Sequence, residues 1–208
     1  MSEDVDFEGL LSLCKQQLDM PGRRIVAIVG APGSGKSTLV EKLAESLGDI
    51  AAILPMDGFH YDDGLLHQMG RRPWKGAPDT YDVGGLRSAL IRLRDPGEGA
   101  VAVPVFDRDL EISRGSARII PSEARIILVE GNYLLLNDAP WPSLRPLFDV
   151  TVRIEVPEDE LRRRLTKRWV DYGLTEAEIA FKLDENDLPN GRMAVNNSIS
   201  PDYLLHPS

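Results

Sequence analysis

One octet narrows what this chain can fold into more than any other feature. Gly30-Ala31-Pro32-Gly33-Ser34-Gly35-Lys36-Ser37 meets the pattern G-x-x-x-x-G-K-[ST] at every fixed position. Ahead of it, Arg24-Ile25-Val26-Ala27-Ile28-Val29 is a near-continuous apolar run, the mark of a strand buried on both faces of a parallel sheet. Behind it, Ser37 to Leu47 reads as a helix that Gly48 ends. Strand, glycine-rich turn and helix in that order make a phosphate cradle: glycines let backbone N–H groups converge on phosphate oxygens, and the helix dipole favours negative charge there. Lys36 is placed to reach the β- and γ-phosphates of a nucleotide and the Ser37 hydroxyl to ligate Mg²⁺. Gly30, Ala31, Pro32, Gly33, Ser34, Gly35, Lys36, Ser37 and Thr38 are therefore the candidate nucleotide-binding residues. A glycine-rich turn that only joined a strand to a helix would need neither the lysine nor the hydroxyl.

Strands and helices continue to alternate along the chain. Phe7, Leu10, Leu11, Cys14 and Leu18 recur at helical spacing before Pro21-Gly22, which predicts an N-terminal helix within residues 1–22. Strands are expected at residues 50–54, 101–105, 125–129 and 149–156, and helices at 83–94, 157–172 and 175–183. Such interleaving predicts an α/β fold of three layers with a mainly parallel sheet, here the P-loop NTPase arrangement. The 208 residues suffice for one such domain spanning 1–208, with no linker or repeat to divide it. Residues 57–82 and 106–118 read as long loops, and loops of that length are often functional.

A phosphate loop alone leaves several protein classes open, and composition removes some of them. Lys+Arg total 24 against 33 Asp+Glu, a net charge of −9, so nucleic acid and anionic membranes are not expected partners and any anion site must be a local cationic pocket. The single cysteine, Cys14, forms no internal disulfide and suits a reducing compartment. The start MSEDVDFEG lacks the basic region of a signal peptide, and no apolar run approaches membrane-helix length, so a cytoplasmic location without membrane insertion is expected. No Asn-Lys-x-Asp guanine-reading motif occurs.

Further motifs follow in a fixed order: Pro55-Met56-Asp57-Gly58-Phe59-His60-Tyr61, Gly76-Ala77-Pro78-Asp79-Thr80-Tyr81-Asp82, Pro104-Val105-Phe106-Asp107, Val129-Glu130-Gly131-Asn132-Tyr133 and Asn186-Asp187-Leu188-Pro189-Asn190. Together with the phosphate loop, this set resembles the uridine kinase, phosphoribulokinase and bacterial pantothenate kinase family, in particular its bacterial branch of fructose transport system kinase-like proteins. The resemblance runs from about Arg24 to Leu205. It implies an ATP- and Mg²⁺-dependent kinase that moves the γ-phosphoryl group to a hydroxyl of a small polar metabolite.

Position and resemblance together nominate the remaining residues. Asp57 sits at the predicted C-terminal end of the second strand, the edge of an open α/β sheet where ligands bind. A bend of Met-Asp-Gly type would also use an Asp there; the resemblance implies the base that receives the acceptor's proton. Glu130 ends its strand run and is the expected Mg²⁺ carboxylate beside Ser37. The resemblance assigns His60, Tyr61, Asp82, Asp107 and Arg114 to the acceptor pocket together with Asp57. Two departures stand out: Phe106 replaces the family's tyrosine, and Arg108 directly follows Asp107. In the helix after Pro157, Glu158, Asp159 and Glu160 precede Arg162, Arg163 and Arg164 by four residues, which pairs those three on the surface. The resemblance implies that residues 157–175 form a small helical lid. Arg168 has no acid four residues before it and is the expected lid arginine, although Asp171 is also placed to pair with it, with Arg164 second. Asn190 is expected by the nucleotide base; by composition alone its segment would be an ordinary turn.

The favoured substrate is a sugar such as fructose. A nucleoside (uridine) or pantothenate-like acceptor is the alternative, and a regulatory ATP-binding protein of a transport system is a third reading from another class. The sheet edge and the N-terminal helix are the two surfaces on which a homodimer would form.

Overall fold

The computed structural model describes residues 2–207. Six strands form one parallel sheet: β1 (Glu3–Asp4), β2 (Arg24–Val29), β3 (Ala51–Pro55), β6 (Ile126–Gly131), β7 (Val150–Ile154) and β8 (Tyr203–Leu205), in the order β1-β8-β7-β2-β6-β3. The central strands behave as their apolar runs predict, and every residue of β6 is buried. Sequence-adjacent strands are separated by helices, as parallel pairing requires.

Helices cover both faces of this sheet. On one, Leu10 and Cys14 of α1 (Phe7–Gln16) and Leu39, Val40, Leu43 and Leu47 of α2 (Lys36–Leu47) pack on Val26, Ile28, Ile126, Leu128 and Val152. On the other, Leu86, Leu90 and Leu93 of α4 (Val83–Arg94) pack with Tyr133, Leu136 and Trp141 on Ile25, Ala27, Ile127 and Val129. Strand residues alternate between the two clusters, so the three-layer α/β arrangement follows from side-chain period. Truncating a fully buried leucine such as Leu90 to alanine is expected to cost about 2–5 kcal/mol. The apolar stripe of α1 packs on the sheet through Leu10 and Cys14. Among the described residues, no helix is long and apolar enough to cross a membrane.

Three expectations need correction. Residues 101–105 are a strand, but outside the parallel sheet: β4 (Val101–Asp107) pairs antiparallel with β5 (Ile112–Ile120) as a separate hairpin. Residues 106–118, read as a loop, are the rest of this hairpin. Their exposure left no apolar alternation to read, since β5 is exposed or half-exposed up to Ile120. Residues 57–82 are not structureless either, for they hold α3 (Asp63–Gln68) and several short 3-10 turns. The third correction is at residues 186–190. A widened π-helical turn, Leu183–Asp187, runs from α6 (Glu176–Lys182) straight into α7 (Leu188–Asn196). Pro189 stands directly after this widened turn, at the start of α7.

The lid helix α5 (Glu158–Asp171) and α6 close over the loop between β2 and α2. Leu161, Leu165, Ile179, Leu183 and Leu188 form a small cluster of their own with Ala31. Thr175 caps α6 reciprocally with Glu178, which fixes the turn between the two helices.

Candidate active site

The cleft lies at the C-terminal edge of the parallel strands. Its floor is the turn from β2 into α2. Gly35 caps α2 at φ 96°, a left-handed conformation that strains any side chain, so the pattern's second glycine is a backbone requirement. Pro32, Gly33, Gly35, Lys36, Ser37 and Thr38 line the cleft, whereas Ala31 faces the lid cluster and the Ser34 side chain is buried beneath the loop. Lys36 Nζ donates to the Ala31 carbonyl at 3.0 Å and lies 3.5 Å from Ser34 Oγ. Burial lowers its ammonium to about 8, even though Glu130 and Asp57 act to raise it. A buried, poorly neutralised ammonium is primed for a polyanion.

Two carboxylates face this lysine from neighbouring strand ends. Pro55 of β3 pairs in register with Glu130 of β6, and Asp57 follows in the turn that continues β3. Ser37 Oγ donates to Glu130 Oε1 at 3.4 Å. Burial raises the Glu130 carboxyl and nearby Asp57 raises it further, while Lys36, Arg108 and Ser37 pull the other way. A hydroxyl and a carboxylate at the N-terminus of α2 are a hard-oxygen pair that fits Mg²⁺, whose remaining positions would go to phosphate oxygens and water.

Burial works to raise the Asp57 carboxyl, but His60 in its charged form, Arg108 and Lys36 hold it below its ordinary value. Its Oδ2 accepts from Arg108 Nη2 at 2.9 Å and its Oδ1 from the Tyr81 hydroxyl at 3.4 Å. His60 Nδ1 lies 2.8 Å from the Asp57 carbonyl. A carbonyl only accepts, so the proton is on Nδ1 and Nε2 is left as an acceptor. Burial lowers the His60 imidazolium, which favours this neutral form. The His60 ring lies 4.1 Å from Tyr81 and 4.7 Å from Phe106, so three rings make an aromatic wall beside the carboxylate. Gly58 is obligatory in this turn for a different reason: a Cβ there would lie 2.4 Å from the Pro104 carbonyl oxygen of β4. Ser113 of β5 also donates to the Gly58 carbonyl, so the Asp57 turn and the hairpin are clamped together.

The lid supplies the opposite wall. Arg168 lines the cleft and has no carboxylate partner among the described residues, because Asp171 pairs with Lys167 instead. Arg164 donates to the Gly33 and Ser34 carbonyls at 3.4 Å and pairs with Glu160. Two of the expected surface pairs are rearranged: Arg163 also takes Glu160, and Arg162 reaches Asp184 of the π-turn. Asn190 lines the cleft with its amide on Asn186 Oδ1 at 2.8 Å, and Asn186 holds the Lys75 carbonyl.

Of the residues expected on the acceptor side, only Asp57 and His60 reach the cleft. Tyr61 points elsewhere although its backbone N–H bonds to Thr80. Asp82 is the N-cap of α4, accepting from Gly85 N–H. Asp107 accepts from Leu110 N–H and pairs with Arg114, which is 60 % exposed on the outer hairpin. Strand alternation explains the change: Phe106 and Arg108 point in, so Asp107 between them points out. Cleft residues not nominated from the sequence include Lys75, Tyr81, Arg108, Glu111, Trp169 and Asp187. Tyr81 and Asp187 left a signal as members of the ordered motifs and Arg108 as a departure from the family's pattern; Lys75 and Glu111 left none.

A buried loop lysine, a strand-end carboxylate beside a helix-start hydroxyl and a second carboxylate within the field of that lysine make a P-loop site suited to phosphoryl transfer. Relatives agree. The chain is 36% identical over 209 residues to "Uncharacterized protein YggC" of Escherichia coli K12, covering 98% of this chain and 86% of that one. It is 30% identical to "Putative uridine kinase C227.14" of Schizosaccharomyces pombe, over 96% and 89% of the two chains. A crystal structure described as "putative fructose transport system kinase from Silicibacter sp. TM1040" superposes with a TM-score of 0.85 at 40% identity, covering 94% of this chain and 98% of that one. No protein-family model matches the chain. The chain belongs to the P-loop kinases of the uridine kinase and phosphoribulokinase group, alongside the fructose transport system kinase-like proteins. It is an ATP-dependent kinase.

Proposed function

We propose that this kinase transfers the γ-phosphoryl group of ATP to a hydroxyl of a small, uncharged, polyhydroxylated metabolite, a sugar such as fructose in the first instance. The observation that carries the reading is Asp57: an ionised carboxylate within the field of Lys36, at the mouth of the phosphate loop, beside a ring wall that no nucleotide phosphate needs. An acceptor hydroxyl takes the place of the Arg108 guanidinium on Asp57 Oδ2. As its oxygen attacks the γ-phosphorus, its proton passes to Asp57. Lys36 and Arg168 face the oxygens on which negative charge spreads, from the floor and from the lid. Mg²⁺, when held by Ser37 and Glu130, neutralises the charge on the β- and γ-phosphates. Residues 157–175 act as the lid of a single domain and exclude water from the site.

The acceptor side argues for an uncharged substrate. The cations that line that side already have carboxylates: Lys75 has Asp63 and Arg108 has Asp57. His60 Nε2, the Asp57 oxygens and the ring wall suit a pyranose or furanose, whose hydroxyls need partners and whose C–H face packs on rings. Uridine is the second reading, favoured by the same wall as a stacking surface and by the name of the fission-yeast relative. The test is ADP release at saturating ATP with sugars, polyols, uridine and pantothenate. A sugar is expected to raise it well above the acceptor-free rate. If none of these compounds does, acceptor kinase activity of this kind is wrong and the regulatory ATP-binding role replaces it.

A further inference from the structure

Arg108 is the departure that the sequence flagged, and its position gives it a task. It leaves the end of β4 two residues after Phe106, and its guanidinium closes on Asp57 Oδ2 at 2.9 Å. The Arg108 side chain is 51 % exposed against 24 % for Asp57, so the guanidinium lies on the solvent side of the carboxylate. The other oxygen faces the Tyr81 hydroxyl, and Tyr81 is buried. Each oxygen of Asp57 therefore already accepts a hydrogen bond, the Oδ2 from a cation. Arg108 also lines a second, open hollow with Arg168, Asp171 and Tyr172 of the lid.

We infer that Arg108 decides between an alcohol and water as the phosphoryl acceptor, by holding Asp57 until an acceptor hydroxyl displaces it. The inference rests on Asp57 being the base. In the unwanted reaction a water oxygen attacks the γ-phosphorus, the bond from that phosphorus to the oxygen of ADP breaks, and the water proton goes to Asp57. The products are ADP and inorganic phosphate. A lone water has only its own hydrogen bonds with which to compete against a charge-assisted pair. An acceptor seated on the His60–Phe106 wall competes with all its contacts at once, and a pair this exposed is weak enough to give way. Arg108 is thus a specificity-determining residue that acts through Asp57.

The experiment uses the full chain with ATP and Mg²⁺ and no acceptor, and reads phosphate release against pH. Arg108→Ala and Arg108→Gln, the second keeping length without charge, are each expected to speed release about tenfold, a part of the full general-base factor. Arg108→Lys is expected to stay near the native rate. The groups facing Asp57 are His60 on its own turn, Tyr81, Lys36 of α2, Glu130 of β6 and Arg108 of the hairpin. Arg108 is among those that lower Asp57, so its loss moves the acid limb of the profile to higher pH. A role in structure alone would not shift that limb. Adding Asp57→Asn to Arg108→Ala is expected to cancel the gain. If both Arg108 variants hydrolyse ATP no faster than the native chain, the inference is overturned, and the base reading stands or falls on Asp57→Asn with acceptor present. If the double variant is as fast as Arg108→Ala, the inference is overturned and the base reading goes with it.

Discussion

Lys36 shows how a functional residue opposes the stability of the fold that holds it. Its ammonium is lowered to about 8 in the folded chain, mainly by burial, against 10.5 as its ordinary value. Between those values the unfolded chain binds more protons at this site than the folded one, so stability rises with pH across that window and the penalty is fully present below it. Lys36→Met, which removes the charge, is expected to raise the melting temperature of the nucleotide-free protein at neutral pH, by about 1–3 kcal/mol of stability. The same variant is expected to lose both turnover and the stabilisation that ATP gives the native chain; thermal melts with and without ATP read all of this. Conversely, ATP affinity of the native protein is expected to fall as pH rises past about 8, because the free lysine is then neutral. Asp57 calls for the opposite pattern. Asp57→Asn keeps the size and removes proton acceptance, so kcat is expected to fall about 10²- to 10⁴-fold with ATP binding nearly unchanged. A collapse of ATP affinity would instead place Asp57 in the nucleotide site.

At the scale of elements, the chain divides into parts the sequence announces and parts it hides. β2, the loop, α2 and β6 were legible because burial on both faces and the fixed glycines leave strong one-dimensional signals. Asp57, Glu130 and Arg168 could be nominated for the same reason, each standing at the end of a legible element or off the pattern of one. The hairpin was not legible: its second strand is exposed, and its inward residues, Phe106 and Arg108, are set by the pairing of Asp107 with Ile112. Lys75 and Asp187 enter the cleft only through turns whose geometry is tertiary. Two elements offer tests. Gly58→Ala would press a methyl against the Pro104 carbonyl, and relief is expected to cost about 1–3 kcal/mol while pushing the hairpin off the Asp57 turn. A lowered melting temperature together with lost acceptor-dependent ADP release checks it; the release would survive if the clamp were irrelevant to the site. Arg168→Ala leaves the lid packed, since Leu161 and Leu165 hold it, and is expected to lower kcat by about 10²-fold with little change in stability.

For the molecule as a whole, the bonding pattern of the hairpin has a consequence for how such kinases diversify. β4 and β5 pair only with each other; to the parallel sheet they are joined by side chains, such as Arg118 on the Ile53 carbonyl. The nucleotide machinery, by contrast, is built into the sheet through β2, β6 and α2. One half of the reaction is therefore written into the backbone ladder, while part of the other, Phe106 and Arg108, is carried on an appendage whose replacement breaks no ladder bond. Mutation can rewrite the exposed part of the appendage so long as its buried Val101, Val103 and Ile120, the glycine beneath it and the clamp to the Asp57 turn survive. Lineages sharing this sheet would then be expected to trade acceptors far faster than they alter their handling of ATP. A chimaera tests that in the laboratory: residues 101–120 exchanged for the matching hairpin of a relative with a different alcohol should carry the donor's preference across, with the Michaelis constant for ATP left within about threefold.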